Sequence, residues 1–302
     1  MTGTLTWRDL RAEAERRLGG FVPVASREAS WIVEELGSFG RAELSLRGGE
    51  SVTVGTVARF EDMIERRRGG EPLQYVLGHW AFRRLDLMVD RRVLIPRPET
   101  EVLVEVALER LDAVAERPPD PGPEPAPARR RLAVDLGTGS GAIALSIAVE
   151  RRDVEVIGTD VSPDALAVAR ANLAGVGRAG SRVHFSEGSW FDALDPAIAG
   201  AVDLIVSNPP YVATTGEVED QVRDWEPSGA LFAGAEGLDA LDLVVDRVPR
   251  WLAPGGACVV ECAPTQTEVV AARMESRGLL DVAITADLAG RDRVVAGRVA
   301  RR

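Results

Sequence analysis

The sequence contains no lysine, and all 36 of its basic residues are arginine. Because a guanidinium group stays protonated in proteins, no basic side chain here forms a Schiff base or acts as an amine general base. Covalent catalysis through lysine is therefore excluded. A bias in codon composition accounts for the arginine usage, which by itself indicates no function.

Cysteine and histidine are scarce, with two of each in 302 residues. Cys258 and Cys262 lie four apart in an apolar run typical of a strand. Neighbours on one face of the same strand do not easily form a disulfide, so we predict that both pack in the core. His79 and His184 are too few to complete a metal site. We expect no bound metal and no His–Asp or Cys–His pair for nucleophilic catalysis.

Long apolar runs and a recognisable secretory signal are also missing. A membrane-spanning helix needs roughly 20 apolar residues, and no segment approaches that length. We therefore predict a cytoplasmic protein without a membrane partner. The net charge of −11 disfavours nonspecific binding to nucleic acid, although it leaves a local basic patch open. The chain is long enough for two domains.

Three segments with helical spacing occupy the N-terminal part of the chain. The first begins at a possible capping box, Thr6–Asp9, and the others cover about 26–39 and 57–64. We assign residues 1–80 to a small helical bundle. Alternating apolar residues then predict a β-hairpin linker over 81–97, with strands at 85–89 and 93–95 and a turn at Asp90. A helix at 99–116 and a proline-rich surface loop at 118–128 follow.

From residue 98 to 302 we predict an α/β domain. Strand-like apolar runs alternate with helical segments, which is typical of a parallel sheet covered by helices on both faces. The fold class is therefore a doubly wound, mostly parallel, seven-stranded sheet whose site lies at the carboxyl ends of the strands. The predicted strands are 132–136, 154–159, 182–186, 202–207, 257–261, 282–286 and 293–298.

A glycine-rich segment, Asp135–Gly141, follows a predicted strand and begins a helix. Its glycines allow a tight turn and let a ligand approach the free N–H groups at the start of the helix. The spacing G-x-G-x-G differs from the dinucleotide pattern G-x-G-x-x-G. This favours S-adenosylmethionine, which has no pyrophosphate, over NAD. The predicted cofactor-binding residues are Gly137, Thr138, Gly139, Ser140 and Gly141.

Two further residues follow neighbouring strands. Asp160 ends the second strand, where a carboxylate can accept both ribose hydroxyl protons of an adenosine. Its alternative role is to cap the helix that begins near Pro163. Trp190 follows the third strand and is a candidate contact for the adenine ring, although a single tryptophan is as often part of a core.

The strongest motif is Asn208-Pro209-Pro210-Tyr211, directly after a buried strand. Methyl transfer to an amide or ring amine requires acceptors for the N–H protons, placed so that the nitrogen lone pair faces the methyl group. Asn208 offers its side-chain carbonyl, and Pro209 offers a backbone carbonyl without a competing N–H. Tyr211 supplies a flat face. We predict Asn208, Pro209 and Tyr211 as catalytic residues, Asn208–Tyr211 as the substrate site, and Asn208 as a further cofactor contact.

With these motifs the chain resembles the release-factor glutamine N5-methyltransferases of the HemK/PrmC type. The resemblance covers about 71–298, with weaker support from the N-terminal helices. The matching segments are Pro72–Tyr75, Val93–Glu101, the glycine loop, Asn208–Tyr211, Glu226-Pro227, Leu252–Gly256 and Asp287–Val295. It implies a class I S-adenosylmethionine-dependent methyltransferase that releases S-adenosylhomocysteine.

The implied substrate is the glutamine of the Gly-Gly-Gln motif in peptide chain release factors, with the N-terminal helices helping to hold the release factor. We expect a monomer that binds no nucleic acid directly. Three segments depart from the family pattern: Ser189 stands where an acidic residue is common, Cys262–Pro264 where a glycine is usual, and Glu236 where aspartate is commoner.

Three other functions compete with this interpretation. A ribosomal-protein glutamine methyltransferase shares the catalytic motif but typically departs from the Ile95–Glu101 segment, which is intact here. An N6-adenine methyltransferase meets the same geometric problem at an exocyclic amine, but the acidic charge opposes it. A non-enzymatic adaptor would be expected to lose Asn208 or the glycines, and this chain keeps them.

Overall fold

The computed structural model describes residues 5–115 and 130–301. The proline-rich segment 118–128 lies outside these residues. The described chain divides into two compact units. The first runs to His79 and also includes Asp220–Trp225, and the second takes the remaining described residues.

The first unit contains five consecutive helices, two more than the sequence spacing indicates. The two additional ones have seven and five residues, which is too short to display a helical repeat. Apolar side chains from the longer helices, including Leu18, Ile32, Phe60 and Ile64, are fully buried between them. The helices are α1 (Trp7–Leu18), α2 (Ala25–Gly37), α3 (Arg41–Arg47), α4 (Val54–Arg68) and α5 (Leu73–Leu77).

The predicted capping box at the start of α1 is confirmed. Thr6 Oγ1 accepts the Asp9 N–H at 3.3 Å, and the Asp9 carboxylate accepts the Thr6 N–H at 2.9 Å. Because Thr6→Ala leaves the Asp9 N–H without this acceptor, we expect the free energy of unfolding of the helical unit to fall by about 1 kcal/mol. Urea unfolding followed by circular dichroism measures the change. Thr6→Ser keeps the hydroxyl, and an equal loss in that variant would contradict the capping explanation.

The β-hairpin lies earlier than the sequence pattern predicts. Its strands are β1 (His79–Phe82) and β2 (Leu85–Met88), and the turn contains Arg83, whose φ is 50°. The turn at Asp90 forms, but the predicted strand at 93–95 does not follow it. That part of the prediction was wrong because alternating apolar residues do not reveal which partner a backbone takes.

The second unit is a seven-stranded sheet with helices between its strands, which confirms the predicted fold class. Its strand order is β5-β4-β3-β6-β7-β9-β8, and only the pairs β7–β9 and β9–β8 are antiparallel. The elements from residue 98 onward, of which α9 belongs to the first unit, are α6 (Pro98–Ala115), β3 (Arg131–Leu136), α7 (Ala142–Glu150), β4 (Val154–Asp160), α8 (Pro163–Gly175), β5 (Val183–Glu187), β6 (Val202–Ser207), α9 (Asp220–Trp225), α10 (Asp239–Trp251), β7 (Leu252–Glu261), α11 (Thr267–Ser276), β8 (Leu280–Ala286) and β9 (Asp292–Arg298).

Helix α9 is the segment that groups with the first unit. Its Gln221 side chain donates a hydrogen bond to the Gly70 carbonyl at 2.8 Å, and the indole of Trp225 lies close to the same glycine. Sequence patterns give no indication of this grouping, because the two segments are about 150 residues apart.

The strand order reverses direction at β3, which pairs with both β4 and β6. Leu136 and Ser207, the last residues of β3 and β6, are register partners. The glycine loop after β3 and the Asn208 motif after β6 therefore start side by side, at the point where α/β sheets commonly bind ligands.

The sheet carries a hydrophobic core on each face, because successive strand residues point to opposite sides. Ala133 and Leu204 pack in one core, whereas Val134, Ile205 and Cys258 pack in the other. Cys258 and Cys262 are buried and unpaired, as predicted, and burial raises the pKa of each thiol to about 12. Within residues 5–115 and 130–301, no helix is both long and apolar enough to span a membrane.

Candidate active site

The glycine loop leaves β3 through three residues in the left-handed region: Gly137, Gly139 and Gly141 have φ values of 73°, 56° and 84°. A β-carbon on Gly141 would lie 3.2 Å from both Leu145 and Phe185, so this glycine permits close packing. Above Gly139 there is open space. The loop therefore combines a tightly packed base with a backbone that a ligand can approach.

Asp135 stands at the start of this loop and is fully buried. Its Oδ2 accepts hydrogen bonds from the Thr138 hydroxyl at 2.6 Å and the Ala144 N–H at 3.1 Å, whereas its Oδ1 has no partner among the described residues. Burial, with a smaller contribution from the charge of Asp160, raises the pKa of Asp135 to about 7. No role was predicted for Asp135 from the sequence, although it lies two residues before the first glycine of the loop.

Asp160 ends β4 and holds the loop from the side. Its Oδ2 accepts the Gly139 N–H and its Oδ1 accepts the Ser162 N–H, both at 2.9 Å. The N-cap of α8 is Ser162, whose hydroxyl accepts the Ala165 N–H at 3.1 Å. The alternative role of Asp160 as a helix cap is therefore excluded, and each carboxylate oxygen keeps a lone pair for another donor.

Trp190 follows β5 with a φ of 50°. Its half-buried ring packs against the core and lies over the glycine loop, since a β-carbon on Gly137 would be 3.5 Å from it. The indole is therefore within van der Waals range of the loop, and Trp190 also lines a cavity.

A cavity of about 470 Å³ joins these groups at the carboxyl ends of the strands. Of the predicted site residues, Gly137, Gly139, Asp160, Trp190, Asn208 and Pro210 line it. Thr138, Ser140, Gly141, Pro209 and Tyr211 do not. Thr138 and Ser140 are buried behind the loop, where the Ser140 carbonyl accepts a hydrogen bond from Asn172. The lining also includes two segments that were not predicted as part of the site, Arg92–Leu94 and Pro227–Ala230.

A buried carboxylate joins these two unassigned segments. Glu226 is 6% exposed, accepts the Ile95 N–H at 3.1 Å and forms an ion pair with Arg97. The segment after the hairpin is therefore held against the loop that begins at Pro227, and both become walls of the cavity.

The Asn208 motif is connected to two further buried residues. The Asn208 side-chain amide donates to Thr100 Oγ1 at 3.1 Å, and the Thr100 hydroxyl donates to Glu261 Oε2 at 2.8 Å. The Tyr211 hydroxyl donates to Glu261 Oε1 at 3.2 Å. Burial raises the pKa of Glu261 to about 7, and burial together with the charge of Glu261 raises the pKa of Tyr211.

The backbone of the motif is fixed from the opposite side. Gln266 donates to the Tyr211 carbonyl at 3.0 Å, and a β-carbon on Gly237 would collide with that same oxygen. The Val212 N–H donates to the Leu231 carbonyl at 2.9 Å. The backbone of the motif is therefore held by hydrogen bonds to Gln266 and Leu231.

Comparison with known proteins indicates a methyltransferase, in agreement with the sequence motifs that form the site. The family described as the PrmC N-terminal domain matches residues 9–78, and the family described as the methyltransferase small domain matches residues 124–224. The release factor glutamine methyltransferase of Xylella fastidiosa (strain 9a5c) is 42% identical over 260 residues, which cover 85% of this chain and 87% of that protein. The chain belongs to the release factor glutamine methyltransferase family.

Other members of the family match over nearly the whole chain. The release factor glutamine methyltransferase of Deinococcus radiodurans is 38% identical over 294 residues, covering 96% of this chain and 98% of that protein. Among solved structures, the METTL16 methyltransferase domain has a TM-score of 0.51 at 15% identity, covering 72% of this chain and 90% of that chain. That likeness concerns the fold alone.

The three departures from the release factor glutamine methyltransferase pattern have different surroundings. Ser189 is exposed and lines the cavity beside Trp190. Cys262 is buried in the core, and the Ala263 N–H after it donates to Gln266 at 3.0 Å. The Glu236 carbonyl accepts a hydrogen bond from the same glutamine at 3.1 Å. Of the three, only Ser189 lines the cavity, and the other two segments contact Gln266 through backbone atoms.

Proposed function

We propose that this chain transfers a methyl group from S-adenosylmethionine to the side-chain amide N5 of the glutamine in the Gly-Gly-Gln motif of peptide chain release factors. The observation that carries the proposal is that one cavity extends from Asp160 and Trp190 to Asn208, whose side chain is held by a buried hydrogen-bond network. The names of its relatives point to a release factor glutamine, and the family resemblance adds the Gly-Gly-Gln motif. The helical unit, which matches the PrmC N-terminal domain, is the proposed holder of the release factor.

The residues present fit S-adenosylmethionine. A volume of about 470 Å³ is within the usual range for small-molecule sites, and the open space above Gly139 allows close approach to the backbone. Asp160 supplies a carboxylate on the cavity wall, and the unpaired Oδ1 of the buried Asp135 is an acceptor in the glycine loop that suits a cofactor with cationic groups. Asp160 would accept the ribose hydroxyl protons, and Trp190 would contact the adenine.

When bound, S-adenosylmethionine supplies an electrophilic methyl group on a positively charged sulfur, and S-adenosylhomocysteine is the product. The amide nitrogen of glutamine is a poor nucleophile because its lone pair is delocalised, as in a peptide bond. In the proposed reaction, the Asn208 carbonyl accepts one N–H of the amide, and the Pro209 carbonyl, which adjoins Asn208 but is not part of the cavity lining, accepts the other. These contacts direct the lone pair toward the methyl group, and Tyr211 supports the plane of the amide. The extra proton is lost to water, so no side chain has to act as a base.

A labelling experiment tests the substrate. The protein is incubated with methyl-labelled S-adenosylmethionine and, separately, with a release factor, ribosomal protein and DNA. We expect label on the release factor, and no label when its Gly-Gly-Gln glutamine is replaced by alanine. Strong labelling of DNA, or undiminished labelling of the Gln→Ala release factor, would contradict the proposed function.

A further inference from the structure

The side chain of Asn208 is the first member of a buried chain of hydrogen bonds. Its Nδ2 donates to Thr100 Oγ1, and Thr100 donates to Glu261 Oε2. Thr100 lies in the first turn of α6 and is 4% exposed, whereas Glu261 is the last residue of β7 and is 1% exposed. Water therefore has little access to either group, and each depends on the other for its hydrogen bonds.

The direction of these hydrogen bonds follows from the chemistry of the Glu261 carboxylate, the last group in the series. An ionised carboxylate only accepts hydrogen bonds, so the single proton of the Thr100 hydroxyl goes to Glu261. The Thr100 oxygen can then act toward Asn208 only as an acceptor. Asn208 satisfies it with the NH2 group, and the amide orientation that presents its oxygen to Thr100 is disfavoured. The Asn208 Oδ1 atom is consequently the one left for the cavity.

We propose that Thr100 and Glu261 are positioning residues that set the amide orientation of Asn208, so that its carbonyl oxygen and not its NH2 group meets the substrate amide. This inference rests on the proposed function, in which Asn208 must accept an N–H proton. An NH2 group in that place would face the N–H groups of the substrate and oppose binding in the reactive geometry. Tyr211 binds the other oxygen of Glu261, so the same carboxylate also holds the aromatic ring of the motif.

Protonation of Glu261 reverses the direction of the hydrogen bonds among Glu261, Thr100 and Asn208. A neutral Glu261 can donate to Thr100, which then donates to the Asn208 oxygen and turns its NH2 group toward the substrate. Several groups act on this carboxyl: Arg293 of β9 favours the ionised form, Glu99 of α6 opposes it, and Tyr211 and Thr100 donate to it. The neighbouring Cys262 thiol is neutral because burial raises its pKa to about 12. Burial raises the pKa of Glu261 to about 7. We therefore expect Asn208 to present its carbonyl oxygen to the substrate above that pH, where Glu261 is ionised.

Kinetics distinguish positioning from simple packing. Thr100→Val keeps the shape but removes the hydroxyl, and we expect kcat to fall about tenfold, as for loss of one aligned hydrogen bond, while the Kd of S-adenosylmethionine stays within about twofold. Thr100→Ser keeps the hydroxyl and should restore most of the turnover. Thermal unfolding of both variants checks that the fold is intact. Equal losses of kcat in the valine and serine variants, or no loss in either, would overturn the proposal.

Asparagine labelling gives a readout that does not depend on activity. The sequence has only two asparagines, Asn172 and Asn208. In protein labelled with 15N-asparagine, we expect the Asn208 side-chain NH2 signals to shift with pH around 7 in the wild type and to stop shifting in Glu261→Gln. Asn172, which donates to the Met88 and Ser140 carbonyls, is the internal control and should not shift.

Failure of the proposed function can be distinguished from failure of the positioning role of Thr100 and Glu261. If the wild type labels no release factor, the proposed function is wrong. The Asn208 signals still decide whether the hydrogen bonds run from Asn208 through Thr100 to Glu261. If the Asn208 signals are as insensitive to pH as those of Asn172 between about pH 5.5 and 9, the proposed hydrogen bonds from Asn208 through Thr100 to Glu261 are wrong, even if the enzyme is active.

Discussion

Asn208→Ala is expected to reduce kcat by about 100- to 1,000-fold, the range observed when one preorganised polar group is removed from a reacting centre. Alanine removes the only side-chain carbonyl of the motif, so the lone pair of the substrate amide is no longer directed toward the methyl group. Single-turnover transfer of labelled methyl to a release factor measures the effect. The loss should appear in the chemical step, because ground-state contacts of the release factor elsewhere are unchanged.

Two controls accompany this variant. Isothermal titration should give only a modest increase in the Kd for S-adenosylmethionine, because Asn208 is one cofactor contact among the many residues that line the cavity. Thermal unfolding should show that the fold is intact, although Thr100 loses one partner. If turnover stayed within about threefold of the wild type, a difference below 1 kcal/mol, the proposed role of the Asn208 carbonyl would be wrong.

Asp160→Asn is expected to weaken the binding of S-adenosylmethionine by about 100-fold, because charge-assisted hydrogen bonds contribute up to about 3 kcal/mol. The carboxylate now accepts the N–H groups of Gly139 and Ser162 and has a lone pair left on each oxygen. An amide replaces one of these oxygens by a donor, which would face either a backbone N–H or a ribose hydroxyl. Isothermal titration with S-adenosylmethionine measures the Kd.

Asp153→Asn is the matched control for this variant. Asp153 precedes the opposite end of β4, is 62% exposed at its side chain and pairs with Arg131. Its substitution removes the same charge from the protein but leaves the cavity untouched, so the Kd should remain close to that of the wild type. A similar loss in both variants would attribute the effect to net charge and not to hydrogen bonding at the ribose.

The sheet was predictable because its strands carry local signals. β6, for example, is an apolar run apart from Asp203 and the terminal Ser207, and every one of its residues is buried. The β-hairpin was predicted less well. Val93–Ile95 has the composition of a strand, but Glu226, 131 positions away from Ile95, takes the backbone N–H that a strand would use. A local pattern contains no information about such a partner.

The candidate site likewise contains some residues that were predicted from the sequence and others that were not. Gly137, Gly139, Asp160, Trp190 and Asn208 were predicted from their positions at or shortly after strand ends, and all five line the cavity. Thr100 and Glu261 were assigned no role, although both lie in conspicuous segments. Neither residue is unusual in its own segment, and their importance arises from a hydrogen bond between positions 161 residues apart.

The motif Asn208–Tyr211 and the glycine loop were therefore enough to indicate the type of reaction, because the backbone conformations and acceptors that they require are encoded in consecutive residues. Tertiary structure alone decided how these groups are aimed. The orientation of the Asn208 amide depends on which neighbour donates and which accepts, and those neighbours, Thr100 on α6 and Glu261 on β7, meet only when the sheet and its covering helix are packed. Local sequence determines which atoms are available, whereas folding determines the direction of their hydrogen bonds.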